Sequence, residues 1–71
     1  MELKWENNSK ISVHTDHDTT IISANKPGLL SLTNHLATLA DGIPGDHIHL
    51  DEHNSLEENS TELIIEKIEN N

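Results

Sequence analysis

The spacing of apolar residues changes twice along this chain, and this constrains its fold more than any other feature of the sequence. Before Pro27, apolar and polar residues mostly alternate, as they do in strands that turn successive side chains to opposite faces. Between Pro27 and Gly42, leucines recur at spacings of three and four residues, as they do in an amphipathic helix. Beyond Gly42 the alternation returns. The sequence therefore predicts strands, then one helix, then further strands.

The predicted helix spans residues 27–41 and has a signal at each end. Pro27 suits the first turn, where its missing N–H is not needed, and Gly42 is typical of the position just after a helix. The predicted apolar face comprises Leu29, Leu32, Leu36, Leu39 and Ala40. We expect Ser31 on the opposite, solvent-facing side and His35 half exposed at the margin between the two faces.

Five segments have the composition or alternation of strands: residues 2–6, 10–14, 19–24, 47–51 and 61–69. With the helix, they give the order β-β-β-α-β-β. We expect a single small two-layer α+β domain over residues 1–71, its amphipathic helix packed on an antiparallel or mixed sheet of four to five strands. Residues 70–71 are expected to fray. Because Ile64 and Ile65 are adjacent, the sequence leaves open which of them faces inward.

The chain has no cysteine, so at 71 residues it lacks the disulfides and thiolate zinc sites that stabilise many small domains. Three sources of stability stay open: the packing of its core, a metal site made of histidines and carboxylates, and self-association. A homodimer that pairs exposed sheet edges is one form of self-association.

Charge narrows the choice of partner. Thirteen acidic residues against four lysines and no arginine give a formal net charge of −9. Such a chain is not expected to bind nucleic acid or an anionic membrane surface, and a basic protein is the more natural partner. The amino terminus lacks the features of a signal peptide, and no apolar run approaches the roughly 20 residues of a membrane span. A cytoplasmic location is therefore expected.

The stretch HIHLDEH carries the chemistry of most interest. His47, His49, Asp51 and His53 occur at every second residue, so in an extended chain their side chains share one face. Neutral imidazole and carboxylate are good ligands for zinc and other first-row divalent metals. The pattern is consistent with a metal site that uses these four residues.

Two interpretations of this row stay open. Under one, the protein is a small metal-binding protein or a metal-dependent hydrolase that uses zinc. Under the other, the alternation is that of a half-exposed strand that buries Ile48 and Leu50. Because Glu52 separates Asp51 from His53, the HxHxDH motif of metallo-β-lactamase-like hydrolases is absent. With no cysteine nucleophile, GxSxG motif or glycine-rich phosphate loop either, no catalytic residue is predicted.

Three segments in succession resemble a known family: PGLLSLTNHLATLA, HIHLDEHNSL and STELIIEKI. They are similar to the immunity protein 32 family, small proteins encoded beside bacterial polymorphic toxins, and the resemblance covers about residues 26–68. It implies a non-enzymatic protein that binds a cognate toxin domain in the cytosol and blocks it. It brings no catalytic residue and no cofactor.

For such a binding role, the polar face of the fourth predicted strand and the acidic loop after it are the candidate contact surface. The residues concerned are His47, His49, Asp51, Glu52, Glu57 and Glu58. Because the chain is strongly acidic, a basic toxin such as a nuclease is the partner that charge favours.

Overall fold

Two antiparallel hairpins and one helix make up the computed structural model, which describes residues 3–69. The elements are β1 (Ile11–Asp16), β2 (Thr19–Ala24), α1 (Lys26–Ala40), β3 (His47–Leu50) and β4 (Leu63–Glu66). Strand β1 pairs with β2 and β3 pairs with β4, in two separate sheets. The predicted α+β class is confirmed, but the predicted single sheet is wrong. The predicted fraying of residues 70–71 lies outside the described residues.

The sheets stay separate because a loop covers the free edge of β1. The Glu57 N–H donates to the Ile11 carbonyl at 2.8 Å, and the Thr61 N–H donates to the Val13 carbonyl at 2.6 Å. The hydroxyl of Ser60 accepts from the Val13 N–H at 3.3 Å. These bonds satisfy backbone groups of β1 that a further strand would otherwise pair with.

The predicted first strand, residues 2–6, is also wrong for the part that is described, because residues 3–6 are not a strand. A turn at Asn7 and Asn8, where Asn8 has a φ of 66°, carries this segment towards the helix. There the Glu6 N–H donates to the Ser31 hydroxyl at 2.8 Å. The order in the described chain is therefore β-β-α-β-β.

Both ends of α1 are fixed by side-chain hydrogen bonds. The Asn25 side chain accepts from the Gly28 N–H at 2.8 Å, which caps the first turn that contains Pro27. At the other end, the ammonium of Lys67 donates to the carbonyls of Ala40 and Gly42 at 2.7 and 2.6 Å. A cation there also interacts favourably with the helix dipole. The observed bounds agree with the predicted span to within one residue.

The buried face of α1 differs in part from the predicted one, although Leu39 is buried and Leu32 packs against the core as expected. Ser31 and His35 are buried, whereas Leu29 and Leu36 are 53% and 47% exposed. The cause is the close approach of the helix to β1 at Gly28, where an added Cβ would lie 2.6 Å from the Lys10 carbonyl oxygen. Ser31 and His35 follow on the same side of the helix and are therefore buried with it. The prediction of a half-exposed His35 is wrong.

We expect the substitution Gly28→Ala to destabilise the domain by about 1–3 kcal/mol, since the new methyl group overlaps backbone that cannot move away freely. This loss outweighs the helix propensity gained, about 1 kcal/mol. Urea unfolding followed through the single tryptophan measures it. The control is Thr33→Ala, at an exposed position of the same helix, with an effect within about 0.5 kcal/mol. Equal stability of the two variants would contradict the close approach.

The core is small and joins both hairpins to the helix. Its buried apolar residues are Ile11, Val13, Leu39, Ile48, Leu50 and Leu56. In the second hairpin Ile48 pairs with Ile65 and Leu50 with Leu63, so Ile65 faces the core and Ile64 is 57% exposed. This settles which of the two adjacent isoleucines points inward.

Candidate functional site

The outer face of the β3–β4 hairpin carries the polar residues that alternate with the core. Ile48 and Leu50 are each 2% exposed, and His47 and His49 project from the opposite, exposed face. The alternation predicted for this strand is confirmed. The strand register gives each side chain of the outer face a defined neighbour on the partner strand.

His49 lies beside two carboxylates on this face. Its Nε2 atom is 2.6 Å from Glu62 Oε2 and 3.5 Å from Asp51 Oδ2. The side chains of His49, Asp51 and Glu62 are 42%, 25% and 59% exposed. One ligand atom from each lies within 4.8 Å of the others. We call these three residues the histidine–carboxylate cluster.

Hydrogen bonds to the following turn hold Asp51 in place. Its Oδ1 atom accepts from the N–H groups of His53 and Asn54 at 2.9 and 3.1 Å. Asn54 in return accepts from the Asp51 N–H at 3.0 Å and donates from its side-chain amide to the His49 carbonyl at 3.2 Å. The other carboxylate oxygen, Oδ2, is thereby directed towards His49.

Only part of the predicted histidine row is brought together. His49 and Asp51 belong to the cluster, whereas His47 pairs across the hairpin with Glu66. His53 is 86% exposed, and its Nε2 atom lies 3.8 Å from Glu52. The reason is that β3 ends at Leu50, so the period of two no longer holds for His53.

Glu62 is the cluster residue that the sequence analysis missed. Since Leu50 pairs with Leu63, continuing the antiparallel register sets Asp51 opposite Glu62. The sequence of the loop between the strands does not reveal this register. The one sign of Glu62 in the sequence was an acidic residue just before an apolar strand. Whether the predicted contact residues bind a partner stays a prediction.

The rest of the predicted contact surface lies in the loop between β3 and β4. Glu57 and Glu58 are exposed, and the Glu52 carboxylate accepts from the Asn59 N–H at 2.8 Å, which connects the two halves of the loop. Residues 47–66, here called the acidic segment, contain no lysine or arginine. Their carboxylates are Asp51, Glu52, Glu57, Glu58, Glu62 and Glu66.

A second surface was not anticipated from the sequence. Leu29, Leu30 and Leu36 are 53%, 45% and 47% exposed on α1, and we call them the apolar helix face. No charged residue interrupts the helix between Lys26 and its end at Ala40. Apolar side chains grouped on an exposed helix are often part of a protein contact.

His35 is buried beneath the amino-terminal segment and belongs to neither surface. It is 1% exposed, and its ring meets that of Trp5 edge to face with centroids 4.1 Å apart. Within residues 3–69, neither ring nitrogen has a hydrogen-bond partner. Burial lowers the pKa of His35, against a weaker opposing influence of the Lys4 backbone.

Comparison with known proteins identifies the family. The family model described as immunity protein 32 matches residues 19–68, which is more than half of the chain. The chain belongs to the immunity protein 32 family. The matched region begins at β2 and includes α1, both strands of the second hairpin and the whole acidic segment.

The resemblance seen in the sequence is thus confirmed. No curated protein and no solved structure matches this immunity protein 32 family member. Within residues 3–69, no helix combines the length and the apolar character that crossing a membrane requires.

Proposed function

We propose that this member of the immunity protein 32 family binds the toxin domain encoded beside it and neutralises it in the cytoplasm of the producing cell. The observation that carries the proposal is the family match over residues 19–68. In this role the protein is an inhibitor rather than an enzyme. It contributes surface and charge to a complex and needs no catalytic residue.

The proposed contact surface is the acidic segment, with His47, His49 and Asp51 on the hairpin face and Glu52, Glu57 and Glu58 in the loop. Its carboxylates are exposed or partly exposed, and residues 47–66 contain no lysine or arginine. A basic toxin, such as a nuclease, would be attracted to this surface over several ångströms, which speeds association and orients the encounter. The acidic segment could then cover a surface that binds phosphates.

The apolar helix face supports binding in a different way. Interfaces commonly have an apolar centre surrounded by charged residues, and Leu29, Leu30 and Leu36 offer such a centre. If the toxin covers the apolar helix face, replacing these leucines by polar residues should raise the dissociation rate of the complex rather than lower its association rate. The two surfaces are therefore distinguishable by kinetics.

Growth protection tests the proposed function directly. The carboxy-terminal domain encoded by the neighbouring gene is expressed in bacteria with and without this chain. We expect growth arrest without it and growth with it, and a stable complex of the two purified proteins on gel filtration. Continued arrest in the presence of folded protein, with no complex, would contradict the proposal.

A triple substitution tests the acidic segment. We expect Glu52→Gln, Glu57→Gln and Glu58→Gln together to slow association with that toxin domain about tenfold at low salt, because electrostatic steering is lost. Stopped-flow fluorescence at two ionic strengths measures the rate, and the difference should shrink at high salt.

The matched control removes the same amount of charge elsewhere. Asp16→Asn, Asp41→Asn and Glu69→Gln change three exposed carboxylates outside the acidic segment. Equal slowing by both triple variants would show that net charge matters and the location does not. If neither variant slows association, the acidic segment is not the contact surface, and Leu29→Ser with Leu36→Ser becomes the next variant to examine.

A further inference from the structure

We propose that the histidine–carboxylate cluster, His49, Asp51 and Glu62, binds one divalent first-row metal ion, for which zinc is the probe. The proposal does not depend on toxin binding and can be tested on the protein alone. The site differs from the metal site predicted from the sequence, His47, His49, Asp51 and His53, because its ligands come from both sides of a hairpin.

The donor atoms suit such an ion in kind and in spacing. Imidazole nitrogen and carboxylate oxygen both bind zinc, with bonds of about 2.0–2.2 Å. A tetrahedral ion with such bonds holds its ligand atoms about 3.4 Å apart. His49 Nε2 and Asp51 Oδ2 are already 3.5 Å apart.

Glu62 needs only a small adjustment. Its Oε2 atom lies 2.6 Å from His49 Nε2, which is a hydrogen-bond distance. To bind one ion, the two atoms would have to move apart by about 0.8 Å. The side chain of Glu62 is 59% exposed, so it has room for this movement. The ion would take the place of this hydrogen bond, with the Nε2 atom of His49 offering its lone pair to the metal.

Two of the three ligands are held in position before any ion arrives. The backbone of His49 is held by the strand pairing of β3 with β4, and its ring is hydrogen-bonded to Glu62. Asp51 has one oxygen occupied by two backbone N–H groups, and the other faces His49. Pre-positioned ligands lose little conformational freedom on binding, which favours affinity.

The local charge also favours a cation. Among residues 3–69, His49 is the one side chain that pairs with Asp51 or Glu62. Since residues 47–66 contain no lysine or arginine, the two carboxylates have no permanent positive charge nearby in the sequence. A bound ion would supply it, with water at the remaining coordination positions.

Such an ion would connect the end of β3 to the residue before β4 and so close the loop between them. In a small chain without cysteine, a metal link of this kind stabilises the folded state because the unfolded chain lacks the assembled site. The ion would therefore raise the melting temperature of the domain.

Zinc chloride titrated into the chelator-treated full-length protein tests the proposal, with calorimetry for stoichiometry and thermal unfolding for stability. We expect one equivalent to bind and the melting temperature to rise by roughly 10–20 °C at a free zinc concentration about a hundred times the dissociation constant. His49→Gln and Glu62→Gln should each weaken binding by about tenfold or more. Circular dichroism establishes that each variant is folded.

The matched controls are His47→Gln and His53→Gln, which remove neighbouring histidines that lie outside the cluster. Both should bind zinc as the parent does. The proposal is overturned if zinc produces no saturable binding and no change in melting temperature. It is also overturned if either control variant loses binding as completely as His49→Gln, since the row on the strand would then be the site.

Discussion

The substitution Leu50→Ala is expected to lower the free energy of unfolding by about 2–5 kcal/mol, the range for removing a large aliphatic side chain from a core. Leu50 is 2% exposed and packs in a core of few apolar side chains. Because few side chains form this core, shortening one of them removes a large share of its buried apolar area. A domain of this size has a modest total stability, so a substantial unfolded population is expected at 37 °C.

The comparison variant for Leu50→Ala is Ile64→Ala in the partner strand. It also shortens an aliphatic side chain, but Ile64 is 57% exposed on the outer face of the hairpin. Its effect should stay within about 0.5 kcal/mol. Urea unfolding of both variants measures the difference. Similar losses would mean that the register places Ile64, rather than Ile65, towards the core.

The second large effect is a loss of stability in mild acid caused by His35. Its pKa is lowered by burial from the usual value of 6.5, so the folded protein resists protonation while the unfolded chain accepts a proton. The contribution of His35 to stability is fully present above about pH 6.5, the pKa of the unfolded chain. It is lost as the pH falls from there towards the lowered pKa of the folded state, with a slope of up to about 1.4 kcal/mol per pH unit. Burying an imidazolium here is costly because neither ring nitrogen of His35 has a hydrogen-bond partner within the described residues, and the nearby Lys4 backbone offsets only part of that cost.

Unfolding at a series of pH values between 7 and 5, followed by the fluorescence of Trp5, measures this effect. The variant His35→Phe keeps an aromatic ring against Trp5 and removes the titrating group, so it should lose this component of the pH dependence. The control is His14→Gln, at an exposed position of β1, which should keep it. Parallel stability profiles for the parent and His35→Phe would contradict the assignment.

Several features of the fold followed from local sequence. Pro27 and Gly42 bound the helix to within a residue of its observed span, because end signals act within one turn. The alternation around Ile48 and Leu50 predicted which side of β3 is buried. The family resemblance, later confirmed over residues 19–68, also came from local motifs.

Other features depend on contacts between distant residues. The side of the helix that is buried was predicted from its leucines, yet the close approach at Gly28 turns Ser31 and His35 inward instead. The number of sheets depends on the loop that pairs with β1, and a loop's backbone partners leave little trace in hydrophobic spacing. The sheet prediction failed, and the helix-face prediction held only for Leu32 and Leu39, because hydrophobic spacing describes an element by itself and not its neighbours.

The candidate metal cluster shows the same division. The sequence by itself predicted that His49 and Asp51 share one face, since alternate residues of an extended segment point the same way. Only the tertiary structure decided that Glu62 joins them and that His53 does not, because strand register and the turn after Leu50 are set by packing across the hairpin. Local periodicity fixes the directions of side chains within an element, whereas the pairing of elements decides which side chains meet.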